Sequence, residues 1–426
     1  MITVLVLTFF AALLISVPVV FALALACAAA LLWQGHLPGT IVPQQIIAAI
    51  DSAPLLAIPL FIVFGEMVSR GSIGPRLVAL CEALVGWVRG GLAHANVLAS
   101  IFFGGISGAA TADTVAVGSV MIPEMKRRGY PAAFSAIVTC TSSVIGNLIP
   151  PSIDLIIFAW LTGTPVDRLF AAGIVPGVLI GIALMVISYV ICRRNGYGDP
   201  VPFSFPSLTR SLFKAGPTML LPLIILGGIF TGMFTVTESA AIAFVYGMAL
   251  TFGVYRDLPL RAIFPLLRDS AIAIGSIMFL LATAKVFGWI LTVERVPQNL
   301  AAFLLTYLPS KELFAINVIV VSLLAGCFLT PATALIILTP ILYPIAMAMG
   351  FDALHFGILL LSSLALGHVT PPVGLTLFIA SGLSGVPIDR LMRPLFPFLL
   401  ALIVAVLIIA YVPQVTLTMP RLIWGG

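Results

Sequence analysis

Charge is what this chain has least of. Only 8% of its 426 residues are Asp, Glu, Lys or Arg, against 61% hydrophobic ones. An ordinary soluble domain carries about 25% charged residues, so this composition excludes one. There are four histidines, and the five cysteines (Cys27, Cys81, Cys140, Cys192, Cys327) are scattered with no CxxC pair or His/Cys cluster. Neither disulfides nor a zinc site is therefore expected. The N-terminal stretch "MITVLVLTFFAALL" lacks a basic start and a small-residue cleavage site. It reads as a retained span and not as a secretory signal. The net charge of +5 sits at the ends of apolar segments. That is positive-inside placement and not a nucleic-acid surface.

What is present is a succession of apolar runs of roughly 17–25 residues, the signature of an all-α polytopic membrane protein with about 10–11 spans. Two of these runs are broken. "GNLIPPSIDLIIF" carries Pro150 and Pro151, and "GHVTPPVGLTLFIA" carries Pro371 and Pro372, at an offset of 221. The same offset joins Gly146 to Gly367, Gly129 to Gly350, Pro123 to Pro344 and Gly105 to Gly326. "TPVDRLF" matches "VPIDRLM" at 222, and Gly65 aligns with Gly288. So many matches in register indicate an internal duplication.

Charge orients the copies. Lys126, Arg127 and Arg128 follow the first copy's proline, whereas the second copy has "AMAMGFDA" there. The first loop is expected inside and its counterpart outside, with Arg70, Arg76, Arg193, Arg194, Arg256, Arg261 and Arg268 also inside. The second copy is then inverted, as in many transporters. The expected organisation is a first repeat over 1–192, a cytoplasmic linker over 193–216, a second repeat over 217–413 and a tail over 414–426. Copy one has spans near 2–16, 18–33 and 52–70, an amphipathic segment near 75–90, a re-entrant hairpin near 93–125, a broken span 131–163 and a span 171–192. Copy two has spans near 217–234, 237–255 and 269–291, a segment near 297–309, a hairpin near 313–346, a broken span 352–385 and a last span 393–413.

Non-helical backbone at membrane depth is tolerated only where it is buried in protein or lines a wet cavity. Half-helix ends there favour ions: amides an anion, carbonyls a cation. Two broken spans facing two polar hairpin tips suggest two sites for a hard cation, Na⁺, with an anionic substrate between them. Ser107, Thr111, Asn147, Ser152, Thr333 and Thr370 are the candidate substrate ligands. The cation is assigned to Ser107, Gly108, Asn147 and Pro150 in copy one, and to Gly326, Thr330, Gly367 and Thr370 in copy two. The plainer alternative is that these side chains cap helix ends or hydrogen-bond between spans.

Other polar residues weigh less. Asp113 and Asp154 are candidate coupling groups, though Asp154 reads as structural because Leu375 is its repeat partner. Glu238 reads as a helix-start acid behind a Thr237 cap, Lys285 and Glu66 as residues that snorkel or pair, and His94, His355 and His368 as packing residues. "GISG" (105–108) fits the short serine motif of rhomboid-type intramembrane proteases. Nucleophilic catalysis needs a base in reach, and the repeat partner of Ser107 is Phe328, so an enzyme is not expected.

The longer motifs "AIPLFIVFGEM", "GWVRGGLAHANV", "GGISGAATADTVAVGSVMIPEMKRRGYPAAFSA", "LFAAGIVPGVL", "GGIFTGMFTVTESAA", "LTPILYPIAMAMGFDALHFGILL" and "GHVTPPVGLTLFIASGLSG" resemble the large membrane subunit of tripartite ATP-independent periplasmic (TRAP) transporters over nearly the whole chain. The resemblance implies a sodium-coupled secondary importer of the bacterial inner membrane that works as an elevator. It implies a periplasmic protein that delivers an organic anion, commonly a dicarboxylate or a sialic acid, and a separate small four-helix membrane subunit. Surrounding lipid is the only other expected partner. One departure stands out. The family's second hairpin tip often has an acidic residue after a Met, where this chain has Leu329 and Thr330. A charged candidate is thereby lost from the second ion site. The alternatives are a stand-alone sodium–dicarboxylate symporter of similar inverted-repeat design and, third, a channel or structural membrane protein.

Overall fold

The computed structural model describes residues 1–35, 40–307 and 310–425, leaving aside the side chains of 301 and 303–307. Among the described residues the regular structure is all helical, with no strand. That follows from the composition, because in lipid each apolar segment must satisfy its backbone groups internally. Among the described residues, eight helices are long and apolar enough to cross a membrane by length and composition. Two of the eight, Lys311–Phe328 and Pro331–Ala348, are the arms of one hairpin; the other six, with the shorter Ile2–Leu14 and Val19–Gln34 and the two helices broken at the proline pairs, make ten.

The first hairpin consists of Gly91–Ser107 and Ala110–Arg127, and the second of Lys311–Phe328 and Pro331–Ala348. The first broken helix runs Ala132–Ser143, tightens into a 3₁₀ turn over Val144–Asn147, and resumes as Ile153–Thr162. The second runs Ala353–Gly367 and resumes as Leu375–Ser384. Long helices Val166–Asn195 and Ile388–Tyr411 follow the two breaks. The breaks lie at the proline pairs, which donate no backbone hydrogen bond, and both Pro–Pro bonds are cis. Hairpin, broken helix and long helix thus occur twice in the same order.

The two sets pack reciprocally. The resumed half-helix Ile153–Thr162 packs on the second arm of the second hairpin, and Leu375–Ser384 packs on the second arm of the first. Phe158 meets the Tyr343 ring edge-on at 5.9 Å, and Lys126 Nζ donates to Ser384 O at 3.3 Å. Every residue from Phe134 to Ala159 is buried, so the first break is sealed inside protein. Around this body lie Ala57–Arg70, Ile73–Val85, Phe205–Phe230, Val236–Met248 and Ile263–Val293, which pack on one another.

Several boundaries differ from the sequence expectation. Only 196–204 of the anticipated linker 193–216 is non-helical. Ser204 caps the next helix by accepting from the Ser207 amide at 3.4 Å, with Pro206 in its first turn. Both are helix-start signals. The anticipated tail is the helix Gln414–Trp424, packed on Val166–Asn195; residue 426 lies outside the described residues. Ile41–Ile50 is a short helix that the hydropathy pattern did not separate. The segment near 297–309 is the helix Val296–Tyr307, with 308–309 outside the described residues. The cap before Glu238 is Thr235, not Thr237. Thr235 accepts from the Glu238 amide at 3.2 Å and Glu238 accepts from the Thr235 amide at 2.7 Å, a reciprocal capping box. Thr237 instead donates to Ala53 O at 2.8 Å.

Candidate transport site

The first hairpin turns at Gly108, which is left-handed at φ 65°. A Cβ there would lie 2.2 Å from the Pro151 carbonyl oxygen, so glycine is required both by backbone conformation and by the approach of the break. The Ile153 amide donates to Gly108 O at 3.4 Å. Asn147 Oδ1 accepts from the Ala110 amide at 2.9 Å, and Ser152 Oγ donates to Asn147 O at 2.6 Å. Asn147 therefore caps the second arm of the hairpin from across the break. Ala109, at the N-cap position, has no side-chain oxygen to do so. Two buried polar atoms here lack a hydrogen-bond partner: Ser107 Oγ and Asn147 Nδ2. Thr111 is half-buried in the first turn of that arm. The Pro150 carbonyl oxygen lies 3.6 Å from where a Cβ on Gly105 would be.

The second junction has the same frame and different chemistry. The Gly374 amide donates to Cys327 O at 3.2 Å, and Gly374 is 221 residues after Ile153. Gly326 and Gly367 touch, since a Cβ on Gly367 would lie 2.7 Å from Gly326 Cα. In the first junction Gly104 and Gly146 do the same, at 2.8 Å. The cap, however, is local. Thr330 Oγ1 accepts from the Thr333 amide at 3.4 Å and lies 2.9 Å from Thr333 Oγ1. Thr330 stands 221 residues after Ala109, and His368 replaces Asn147. Thr370 Oγ1 donates to Leu366 O at 2.7 Å. Thr330, Pro372 and Val373 are exposed, so this junction opens on one side.

The structure thus brings Ser107, Gly108, Asn147, Pro150 and Ser152 to one junction, and Gly326, Thr330, Thr333, Gly367 and Thr370 to the other. The first half of the second broken helix packs on the 3₁₀ turn of the first, which joins them. Behind the first junction lies a polar seam the sequence reading did not assemble. Asn96 Nδ2 donates to Thr139 Oγ1 at 2.7 Å and Ser100 Oγ lies 2.9 Å from Ser142 Oγ, all fully buried. Asp113 is fully buried beside it, with the Ser100 and Ser143 hydroxyls as its polar neighbours. The seam falls on successive turns of two helices, a spacing visible in the sequence once those helices are paired. Also missed were Gly173 and Gly177, spaced four apart. A Cβ on them would lie 2.2 Å from Leu148 O and 2.5 Å from Ile149 Cγ1. They let Val166–Asn195 seat against the break, and their small-xxx-small spacing was the available signal. Glu66 pairs with Arg70 at 2.7 Å, not with Lys285, and Arg70 reaches on to Asp269 at 2.7 Å. The described residues hold no cluster of His, Cys, Asp and Glu fit to bind a metal.

The fold defines a polytopic helical membrane protein whose hairpin tips abut broken helices, the layout of many secondary transporters. A family model described as "Tripartite ATP-independent periplasmic transporter, DctM component" matches residues 6–415. The C4-dicarboxylate TRAP transporter large permease protein DctM of Pseudomonas aeruginosa is 41% identical over 87% of this chain and 87% of its own length. The sialic acid TRAP transporter large permease protein SiaM of Vibrio cholerae is 36% identical over 90% of each chain. The 2,3-diketo-L-gulonate TRAP transporter large permease protein YiaN of Escherichia coli is 32% identical over 94% of each. The crystal structure of the Alcanivorax borkumensis YdaH transporter shares the fold, with a TM-score of 0.60, 15% identity, and 87% and 86% coverage. The chain belongs to the DctM family of TRAP transporter large permeases. It is a multi-pass protein of the inner membrane and a transporter subunit, not an enzyme.

Proposed function

We propose that this chain is the membrane permease of a sodium-coupled secondary importer of organic anions. In this reading a periplasmic binding protein delivers the anion, and a separate small four-helix subunit completes the membrane unit. The observation that carries it is the pair of junctions between hairpin tips and broken helices. The first holds an unpartnered buried hydroxyl, Ser107 Oγ, beside an unpartnered buried amide, Asn147 Nδ2. A buried polar group without a partner is costly. The hydroxyl suits Na⁺, which neutral oxygens can hold, and the amide suits a carboxylate. In both junctions the N-terminus of a resumed half-helix points into the break, which also favours an anion. The named relatives carry a C4-dicarboxylate, a sialic acid and a diketogulonate, and each of these bears a carboxylate.

In the same reading the two hairpins, the broken helices and the helices packed on them move as one body past the surrounding helices, with the second repeat inverted on the first. Reciprocal packing supports this, because it ties elements of both repeats into a single unit. The test is uptake of labelled succinate, N-acetylneuraminate and 2,3-diketo-L-gulonate into proteoliposomes containing the chain, its small subunit and its binding protein. Saturable uptake driven by an inward Na⁺ gradient is expected. Equal uptake in Na⁺ and choline buffers, without a proton gradient, contradicts sodium coupling. Uptake by the chain alone favours the partner-free symporter.

A further inference from the structure

A cleft of about 410 Å³ lies away from both junctions, where three bodies of the structure meet. Its walls are Lys285 and Trp289 on Ile263–Val293, Trp160 on the first resumed half-helix, and Thr339 and Tyr343 on the second hairpin. That volume falls within the range of small-molecule sites, roughly 300–1,000 Å³.

Two observations give the cleft a charge preference. Among the described residues no carboxylate lies within ion-pair distance of the exposed Lys285 ammonium. Its one recorded contact is the face of Trp160, with Nζ 5.7 Å from the ring centroid. That distance is close to the outer limit of a cation–π contact and leaves the ammonium's donors free. Thr339 Oγ1 is the second observation. The residue is 1% exposed, lines the cleft, and its hydroxyl has no hydrogen-bond partner. A cation and a spare hydroxyl framed by two tryptophans and a tyrosine form a receptor for an anion with an organic body.

Lysines that only reach for headgroups cluster at helix ends. Lys285 is about two turns, ~12 Å, before the end of its helix at Val293. The positive-inside rule puts the other end of this helix, with Arg261 and Arg268, at the cytoplasmic face. The cleft is then in the outer half of the membrane. It lies between a surrounding helix and two elements of the body that holds the junctions.

We propose that this cleft is an entry subsite where Lys285 and Thr339 hold the carboxylate of the arriving anion before it reaches the junctions. This rests on the anion-import reading above. As an attractive charge on the entry path, Lys285 acts on capture more than on the maximal rate.

The test is charge replacement at one atom. Lys285→Cys is made in the complete transporter; all five native cysteines of this chain are buried, and the same treatment of wild type controls for cysteines of the other subunits. The variant is then treated with an aminoethyl or a sulfonatoethyl methanethiosulfonate, which restores or reverses the charge. Uptake is followed with the best carried of succinate, N-acetylneuraminate and 2,3-diketo-L-gulonate. Losing one charge-assisted contact should raise the half-saturating anion concentration about tenfold or more. The aminoethyl group should reverse most of that rise, and the sulfonatoethyl group should deepen it. Thr339→Val should raise it severalfold. Should the cysteine variant not assemble, Lys285→Arg and Lys285→Gln make the same comparison, with only the arginine retaining wild-type half-saturation. The inference is overturned if half-saturation is unchanged in Lys285→Cys, or if the two reagents act alike, while wild type imports the probe. If wild type imports none of the probes, the import reading itself has failed and takes the subsite with it.

Discussion

Asn147 Oδ1 accepts the backbone amide of Ala110 at 2.9 Å, tying the break of one helix to the tip of the hairpin it faces. At the second junction the cap is made within the hairpin, by Thr330 on Thr333. One junction therefore depends on a side chain that crosses the break, and the other does not. The consequences for mutation differ accordingly.

At the first junction, Ser107 and Asn147 should separate transport from stability. Ser107 Oγ makes no hydrogen bond, so Ser107→Ala removes an unsatisfied buried group and should leave thermal stability in detergent unchanged or slightly raised. Asn147→Ala removes a cap and should cost about 1 kcal/mol. Ser107→Ala should raise half-saturating Na⁺ by about tenfold, the effect of losing roughly 1.4 kcal/mol of ion binding, whereas Asn147→Ala, which removes the free amide, should raise the half-saturating anion concentration. A Ser107→Ala transporter with unaltered Na⁺ dependence would remove its hydroxyl from the ion site.

Gly108 and Gly129 form a matched pair. Both have positive φ, at 65° and 83°. A Cβ at Gly129 meets nothing within 4 Å, whereas at Gly108 it would collide with the Pro151 carbonyl. Gly129→Ala should cost about 1 kcal/mol of backbone strain. Gly108→Ala should cost several times more, or abolish uptake by forcing tip and break apart. Melting temperatures in detergent and uptake rates of the two variants make the comparison.

Thr330 is a neutral side chain at the second hairpin tip. Thr330→Asp keeps an N-cap acceptor and adds a charge. It should lower half-saturating Na⁺ about tenfold if ion and carboxylate interact by about 1.4 kcal/mol. Thr330→Val loses the cap and the oxygen together and should raise it. Unchanged Na⁺ dependence in both, with transport intact, would place the second site on other oxygens, such as the carbonyls near Gly367.

The hairpins and breaks were legible because Gly and Pro punctuate apolar runs, and the punctuation recurs at an offset of 221. The exchange of caps was not legible. It needs the knowledge that Asn147 meets Ala110, 37 residues away in sequence, and no local pattern carries that. The Thr235 cap was legible in principle, since Thr235 and Glu238 have capping-box spacing, but the nearer Thr237 masked it. The helix from Phe205 was hidden by its polar first turns, which hydropathy reads as a loop despite Ser204 and Pro206. The Lys285 cleft draws its walls from residues as far apart as Trp160 and Tyr343. From sequence alone, Lys285 was one isolated charge.

In the proposed mechanism the two junctions couple Na⁺ to an organic anion. The most direct measurement is the steady-state accumulation of the imported anion in proteoliposomes of the complete transporter, as a function of the imposed Na⁺ gradient at zero membrane potential. No accumulation is expected without the gradient and, with two ion sites, a logarithmic slope greater than one. Accumulation that is independent of the Na⁺ gradient would contradict that coupling.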